Sequence, residues 1–225
     1  MPAQYPREPK IKITQSIKTM VGKALWALLV VLAILIGLYP GIYFLIDREF
    51  GLLASKSDEL LADLFWNAGF YSHIVPGGIA LLLGWMQFSP RLRATRPALH
   101  RQVGKVYVGA VLVSSLAGVY IGFYATGGLA ASLGFICLGV IWFYTTLKAY
   151  LHIRHKAIEP HRTMMIYSYA ACFAAVTLRV WLPMLQVIFG DFYTAYRLVA
   201  WLCWVPNLAV AGWIVRRSKA QKALA

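Results

Sequence analysis

The sequence contains little charge and very little acid. Only 13% of its 225 residues are charged, and only 8 are Asp or Glu, whereas about a quarter of the residues in a soluble domain carry charge. Hydrophobic residues make up 60% and form runs long enough to cross a bilayer core of about 30 Å. This composition excludes a soluble globular protein and predicts an integral membrane protein with one helical domain.

The sequence also lacks the common motifs of soluble enzymes and has few cysteines. It contains no Gly-rich phosphate loop, no GxSxG and no HExxH. Cys137, Cys172 and Cys203 all fall inside apolar runs, and none has a CxxC partner. We therefore expect three small buried hydrophobes and neither a disulfide nor a zinc site. Whether the protein is an enzyme is left open.

Six apolar runs predict an all-α, six-helix transmembrane bundle. The first run exceeds the 7–15 residues of a cleaved signal sequence, so we expect a retained helix. The predicted organisation is a basic N-terminal segment (1–23), a membrane domain (24–216) and a basic tail (217–225). The predicted spans are Ala24–Ile46, Phe70–Phe88, Gly104–Ala125, Leu129–Leu151, Thr163–Val187 and Leu198–Val215.

The net charge of +14 follows from membrane topology and does not indicate nucleic acid. Lys and Arg gather before the first span, after the second and fourth spans, and after the sixth. The alternate connections carry only Arg48, Lys56 and Arg197. Basic connections stay in the cytoplasm, so we predict that both termini are cytoplasmic and that the chain contacts lipid but no nucleic acid.

The first outer connection is the longest and allows two interpretations. In "SKSDELLADLFWNAGF", Leu60, Leu61, Leu64 and Phe65 share one helical face. A short amphipathic helix on the outer surface would produce this pattern. An early start of the second span would also produce it.

Small residues and prolines in the spans predict close packing and kinks. Gly37 and Gly41, and Gly118 and Gly122, form GxxxG patterns that allow two helix backbones to approach. Four prolines within spans are expected to free a backbone carbonyl and permit a kink: Pro40, Pro76, Pro183 and Pro206.

His73 and Arg179 are costly polar groups inside predicted spans, which marks them as candidate site residues. The helix rise places His73 about 5 Å inside the second span and Arg179 about 24 Å along the fifth. Both then lie near the outer edge, where they predict a pocket for an anionic or redox-active molecule such as a quinone. The alternative is that Arg179 reaches the headgroups and His73 bonds a neighbouring helix.

Two His-Arg pairs occur at the starts of inward-to-outward spans, in "PALHRQVGKVY" and "EPHRTMMIYSY". Imidazole is the usual nitrogen ligand of haem iron, so His100 and His161 are candidate metal ligands for a haem b. Arg101 and Arg162 would then contact the haem propionates. The alternative is that the arginines only set topology and the histidines lie at the interface without a ligand.

A second metal combination is His152 with His155, which lie three residues apart in "HIRH". The neighbouring Arg154 and Lys156 would repel a cation. Because only His73 is available at the outer level, the sequence provides for at most one bis-histidine haem, at the inner side. A complete transmembrane chain of haems is therefore not expected.

Three stretches resemble a family of bacterial predicted membrane proteins classed as a domain of unknown function, DUF2306. They are "SHIVPGGIALLLGWMQF", "RPALHRQVGKVYV" and "EPHRTMMIYSYAACFAAVTLRVWLP". The resemblance implies a multi-pass protein of the bacterial inner membrane. It covers these motif positions: His73, Gly77, Gly78, Gly84, Gln87, His100, Arg101, Gly104, Tyr107, His161, Arg162, Met165 and Arg179.

These features favour a haem b-linked or quinone-linked redox protein. A second hypothesis is a non-enzymatic membrane subunit or assembly factor of a larger complex, since many aromatic residues suit interfaces and lipid anchoring. A third is a small-anion transporter that uses Arg179. We rank it last because the spans are expected to lack the paired, interrupted helices of transporters, apart from Pro206 and Asn207.

Overall fold

The computed structural model of the chain describes residues 10–46 and 51–223, and all regular structure within them is helical. Residues 1–9 of the basic N-terminal segment, 47–50 of the first outer connection and 224–225 of the tail lie outside this description. The α-helices are α1 (Lys10–Leu38), α2 (Asp58–Ala62), α3 (Leu64–Gly84), α4 (Pro90–Thr95), α5 (Pro97–Gly122), α6 (Leu129–Arg154), α7 (Ile158–Cys172), α8 (Ala174–Phe189), α9 (Phe192–Leu202) and α10 (Val205–Ala223).

The predicted all-α, six-span bundle is confirmed. Within the described residues, six helical segments are long and apolar enough to cross a membrane, and the fifth and sixth each consist of two helices in tandem. Short 3₁₀ turns extend the first and second. The six segments are Met20–Phe44, Leu64–Phe88, Pro97–Gly122, Leu129–Arg154, Ile158–Phe189 and Phe192–Ala223.

Several helices extend beyond the predicted spans because capping residues, which hydropathy does not detect, set their ends. The second span begins at Leu64, where the Asp63 side chain accepts a 2.6 Å hydrogen bond from the Trp66 amide. The third begins at Pro97, a residue suited to a first helical turn. Both interpretations of the first outer connection hold in part, since the short α2 precedes an early start of α3.

The connections gather at two ends of the bundle. At the basic end, Lys222 of α10 forms a 2.5 Å ion pair with Glu159 of α7. At the far end, Ser55 bonds Thr126 at 2.9 Å, joining the first and second connections on that side, which precede the second and fourth spans. Between the ends, α3 packs most extensively against α5, α5 against α6, and α6 against α7.

We predict that the basic end faces the cytoplasm. A fluorescent-protein reporter fused after residue 156 or 225 is expected to be active, because basic connections are retained inside. A phosphatase reporter that folds only outside the cytoplasm is expected to be active after residue 126. Phosphatase activity after residue 156 would contradict the prediction.

A hydroxyl network joins the central helices. The Tyr107 side chain on α5 is fully buried, and its hydroxyl lies 2.8 Å from that of Ser168 on α7. Ser168 is also 2.6 Å from Thr146 on α6, whose hydroxyl donates to the Trp142 carbonyl at 2.8 Å. Hydroxyls in a membrane interior need partners, so this network sets how α5 and α7 align along their axes.

The two GxxxG patterns do not each form a single helix-pairing surface. A Cβ on Gly118 would meet His73 of α3, whereas one on Gly122 would meet Ile136 of α6. Gly37 packs against α3, but a Cβ on Gly41 would meet nothing within 4 Å. The glycines therefore serve different neighbours, which a pattern within one helix could not show.

Candidate functional site

A cavity of about 230 Å³ extends from the middle of the bundle toward the far end, and we call it the far cavity. Its wall is mostly aliphatic and aromatic, with a few polar side chains among them. An apolar pocket with a few polar groups is the usual form of a small-molecule site. The lining residues with ionisable or hydroxyl side chains are Tyr43, Lys56, His73, Ser115, Cys172, Arg179, Tyr196 and Cys203.

His73 lies in the wall of the far cavity with a fixed ring orientation. Its Nδ1 donates to the Ser114 carbonyl at 2.9 Å, and the Ser114 hydroxyl donates to the His73 carbonyl at 2.7 Å. Gly118 makes room for the ring, because a Cβ there would lie 2.8 Å from Nδ1. Since a carbonyl only accepts, the proton is on Nδ1 and Nε2 is left as the acceptor.

Arg179 lies between the far cavity and a second, more open cavity nearer the far end. One guanidinium nitrogen donates to the Ala175 carbonyl at 2.9 Å, and the guanidinium carbon lies 4.2 Å from the centre of the Tyr39 ring. A cation over an aromatic face is attracted by the ring quadrupole. Arg179 is therefore held inside the bundle by protein groups.

His73 and Arg179 share one level, but that level is deeper than the sequence indicated. His73 is nine residues from Leu64 and Arg179 is ten residues from Phe189, which puts them about 14 and 15 Å from the far ends of their spans. The sequence placed His73 only about 5 Å from the start of its span, and the difference arises because the second span begins earlier, at Leu64. Both residues line the far cavity and interact electrostatically.

The fifth and sixth spans are both interrupted, so the expectation that paired interruptions are absent is wrong. The fifth breaks at Phe173, between α7 and α8, and the sixth at 203–204, between α9 and α10. Asn207 joins the breaks: its amide donates to the Ala170 carbonyl at 3.3 Å and to the Cys203 carbonyl at 2.9 Å. The Thr177 hydroxyl also donates to that Cys203 carbonyl. The Asn207 side chain therefore hydrogen-bonds backbone carbonyl groups that the helix breaks leave without a partner in their own helix.

Lys56 is a lining residue that sequence reasoning missed. It precedes α2 and is half-buried, and its Nζ donates to the Tyr124 carbonyl and to the Thr126 hydroxyl, the latter at 2.9 Å. Burial alone lowers the pKa of this ammonium group to about 8. A basic residue in a connection with few others is the signal in the sequence that could have identified it.

At the basic end, the fold brings His100 and His161 to facing sides of α5 and α7. Tyr107 and Ser168 bond each other across these helices, and each lies seven residues after one of the histidines. Seven residues are about two turns, so each histidine shares the face of its bonded residue, about 10 Å nearer the basic end. The two imidazoles interact electrostatically. We call them the basic-end histidine pair.

The ring nitrogens of the pair differ in their partners. His161 Nδ1 donates to the Ala149 carbonyl at 2.8 Å, which leaves Nε2 with a free lone pair. His100 Nδ1 is buried and hydrogen-bonds no described residue. A buried polar atom is costly without a partner, so this nitrogen is a candidate contact for a bound ligand.

Two more unpaired N–H groups belong to the 3₁₀ turn Trp85–Phe88, which ends the second span near the basic end. Gln87 Nε2 and Trp85 Nε1 are buried and have no hydrogen-bond partner in the described part of the chain. Gln87 packs against Gly104 of α5, because a Cβ on that glycine would lie 3.3 Å from Gln87 Oε1. Gly104 is one helical turn from His100, so the Gln87 side chain lies near this histidine. The Gln87 amide is therefore a further candidate ligand group at this end.

The other predicted basic-end residues are less enclosed. Arg101 and Arg162 are both exposed, each next to its histidine. His152 lies in the last turn of α6, but the helix ends at Arg154, so His155 does not continue the same helical face. No cluster of three or more His, Cys, Asp or Glu side chains suited to a metal ion is present among the described residues.

The six spans, the far cavity and the basic-end histidine pair define a multi-pass α-helical membrane protein with a cavity among its spans. The chain belongs to DUF2306, a family described as predicted membrane proteins, which matches residues 70–215. The matched region contains all six site residues predicted from the sequence, but not Lys56. No curated protein and no solved structure matches the chain.

Proposed function

We propose that the protein is a membrane redox protein that holds one b-type haem at the basic end of the bundle. His100 and His161 would be the two axial ligands, and Arg101 and Arg162 would contact the propionates. The observation that supports this proposal is the bond between Tyr107 on α5 and Ser168 on α7, because His100 and His161 lie two turns before them on the same helix faces.

The donor atoms fit a haem iron. In haem and metal sites, a ligating histidine usually donates its other N–H to a carbonyl, which fixes the ring and raises its basicity. The bond from His161 Nδ1 to the Ala149 carbonyl has this form. The corresponding nitrogen of His100, Nδ1, is buried without a described partner, and a hydrogen bond to a haem propionate would satisfy it.

A bound haem would supply reversible one-electron transfer. The chain's own contribution is to orient two imidazoles, to place two guanidinium groups beside them and to surround the site with apolar helix faces. Only His73 lies farther along the bundle, and its Nδ1 is already bonded to Ser114. The proposed protein therefore exchanges electrons at the basic end alone.

A quinone at the same place is the second candidate. Gln87 Nε2 and Trp85 Nε1 are N–H donors, buried and unpaired, and a quinone carbonyl accepts such bonds. A quinone headgroup between α5 and α7 would satisfy the donors that a haem would leave unpaired. This candidate keeps the redox class and changes the cofactor.

The absorption spectrum of the purified protein tests the proposal. Protein from haem-supplied cells is expected to show a Soret band and close to one haem per chain. The reduced spectrum is expected to be that of a bis-histidine b-type haem. A colourless protein that yields a stoichiometric quinone on solvent extraction would favour the second candidate. Absence of both would contradict the redox function.

A further inference from the structure

The far cavity carries three basic side chains and no acidic one. Lys56, His73 and Arg179 all line it, and the lining residues within 10–46 and 51–223 include no Asp or Glu. A buried cation without a counter-charge costs several kcal/mol. An anion that enters the cavity would supply that counter-charge.

Lys56 is positioned to contact such an anion. An ammonium group has three N–H donors, and two of them reach Tyr124 and Thr126. Thr126 is itself held at 2.9 Å from Ser55, so the loop fixes the lysine head. One donor is left without a bond to any described residue.

Arg179 also retains donor capacity toward the cavity. The guanidinium group has five N–H donors, and the Ala175 carbonyl and the Tyr39 side chain engage two of them. The Tyr39 ring also lies 4.2 Å from the guanidinium carbon, and the N–H groups beyond these two bonds are available to a ligand in the cavity. Planar guanidinium edges match carboxylates better than they match neutral carbonyls.

The size of the cavity limits the ligand. A volume of 230 Å³ corresponds to roughly eight water molecules at about 30 Å³ each, so it suits a small organic molecule. Most of the wall is apolar, including Phe70 and Trp142, so the body of the ligand must be apolar as well.

We propose that the far cavity binds a small organic anion, with an apolar body among the aromatic side chains and a carboxylate held by Lys56 and Arg179. This goes beyond the proposed haem site, which lies at the other end of the bundle. The quinone predicted at His73 and Arg179 stays a prediction, but the excess of cationic groups favours an anion over a neutral ring.

Three isosteric probes test the charge preference directly: benzoate, benzamide and benzamidinium. Their binding is measured by calorimetry on the protein in lipid nanodiscs, with empty nanodiscs as the blank. Benzoate is expected to bind saturably and at least roughly tenfold more tightly than benzamide, as charge-assisted hydrogen bonds are stronger than neutral ones. Benzamidinium is expected not to bind.

Substitutions then test the residues. Lys56→Met and Arg179→Gln are each expected to weaken benzoate binding roughly tenfold or more, whereas Lys56→Arg retains it. Arg197→Met is the matched control. Arg197 donates to the Gly127 carbonyl, in the same connection that holds the Lys56 partners Tyr124 and Thr126, but it does not line the far cavity. Thermal unfolding of each variant shows that the fold is intact.

The pH profile separates charge from shape. Because the pKa of Lys56 is about 8, benzoate affinity is expected to fall roughly tenfold between pH 7 and pH 9, as the ammonium group loses its proton. The Lys56→Arg variant is expected to show a flat profile, since a guanidinium group stays charged. The other ionisable groups in the wall are Tyr43, His73, Cys172, Arg179, Tyr196 and Cys203.

Three results would overturn the proposal. The first is benzamide binding as tightly as benzoate, or no saturable benzoate binding. The second is equal benzoate affinity in wild type, Lys56→Met and Arg179→Gln. The third is tighter binding of menadione, a neutral quinone, than of benzoate, with the same menadione affinity in wild type, Lys56→Met and Arg179→Gln. That result would assign the cavity to a quinone.

Discussion

Replacing His161 with alanine is expected to remove haem from the purified protein, and His100→Ala is expected to do the same. Each change deletes one proposed axial ligand, and even groups that only support a ligand contribute roughly 10–100-fold to affinity. We expect haem content per chain to fall at least tenfold. The measurement is the Soret absorbance relative to protein, after purification under identical conditions.

His155→Ala is the matched control, because His155 is exposed and lies in the connection just before α7. Its haem content is expected to equal that of the wild type. Added imidazole is expected to restore the Soret band in a His161→Gly variant, since a free imidazole can replace a missing ligand. Equal haem in every variant, or loss without rescue, would show that the histidines do not ligate iron.

Gly134→Leu is expected to prevent stable folding. Gly134 on α6 faces the backbone of α9, and a Cβ there would lie 2.7 Å from the Ala200 carbonyl oxygen and 3.0 Å from its carbonyl carbon. Both Ala131 and Ala200 are fully buried beside it. Backbone cannot rotate away as a side chain can, so overpacking is expected to lower the free energy of unfolding by about 3 kcal/mol.

Gly109→Leu is the control for this change. Gly109 lies on an exposed part of α5, where an added Cβ would meet nothing within 4 Å. The same substitution there is expected to leave stability unchanged or to raise it, because leucine favours helix over glycine by roughly 1 kcal/mol. Monodispersity and thermal unfolding in one detergent measure both variants. Similar losses in the two would mean that the α6–α9 contact is not tightly packed.

Helix α5 connects the two candidate sites. His100, Tyr107 and Ser114 follow one another at seven-residue intervals and therefore share one face. His100 belongs to the basic-end histidine pair, Tyr107 to the hydroxyl network and Ser114 to the bonds that orient His73. The spacing was readable in the sequence, but the partner of each residue was not.

Some of the candidate site could be predicted, and some could not. His73, Arg179, His100 and His161 were identified because ionisable groups in apolar spans are conspicuous. Lys56 lies between spans, where a charge is ordinary, and only the folding of its loop over the bundle places it in the cavity wall. The break in the fifth span was missed because no proline or glycine adjoins Phe173, whereas Pro206 indicated a kink beside the break in the sixth span.

Hydropathy and the positions of Lys and Arg were enough to predict the six spans and which connections share an end of the bundle. A bilayer leaves no alternative to a helix for an apolar segment of this length, because its backbone groups must bond within the segment. The side chains that meet between helices could be identified from the folded structure alone. Helix rotation and axial alignment depend on contacts such as Gly134 with Ala200 and Tyr107 with Ser168, which join residues far apart in the chain. No pattern within one helix encodes such a contact, because it depends on the position and rotation of two helices that are far apart in the chain.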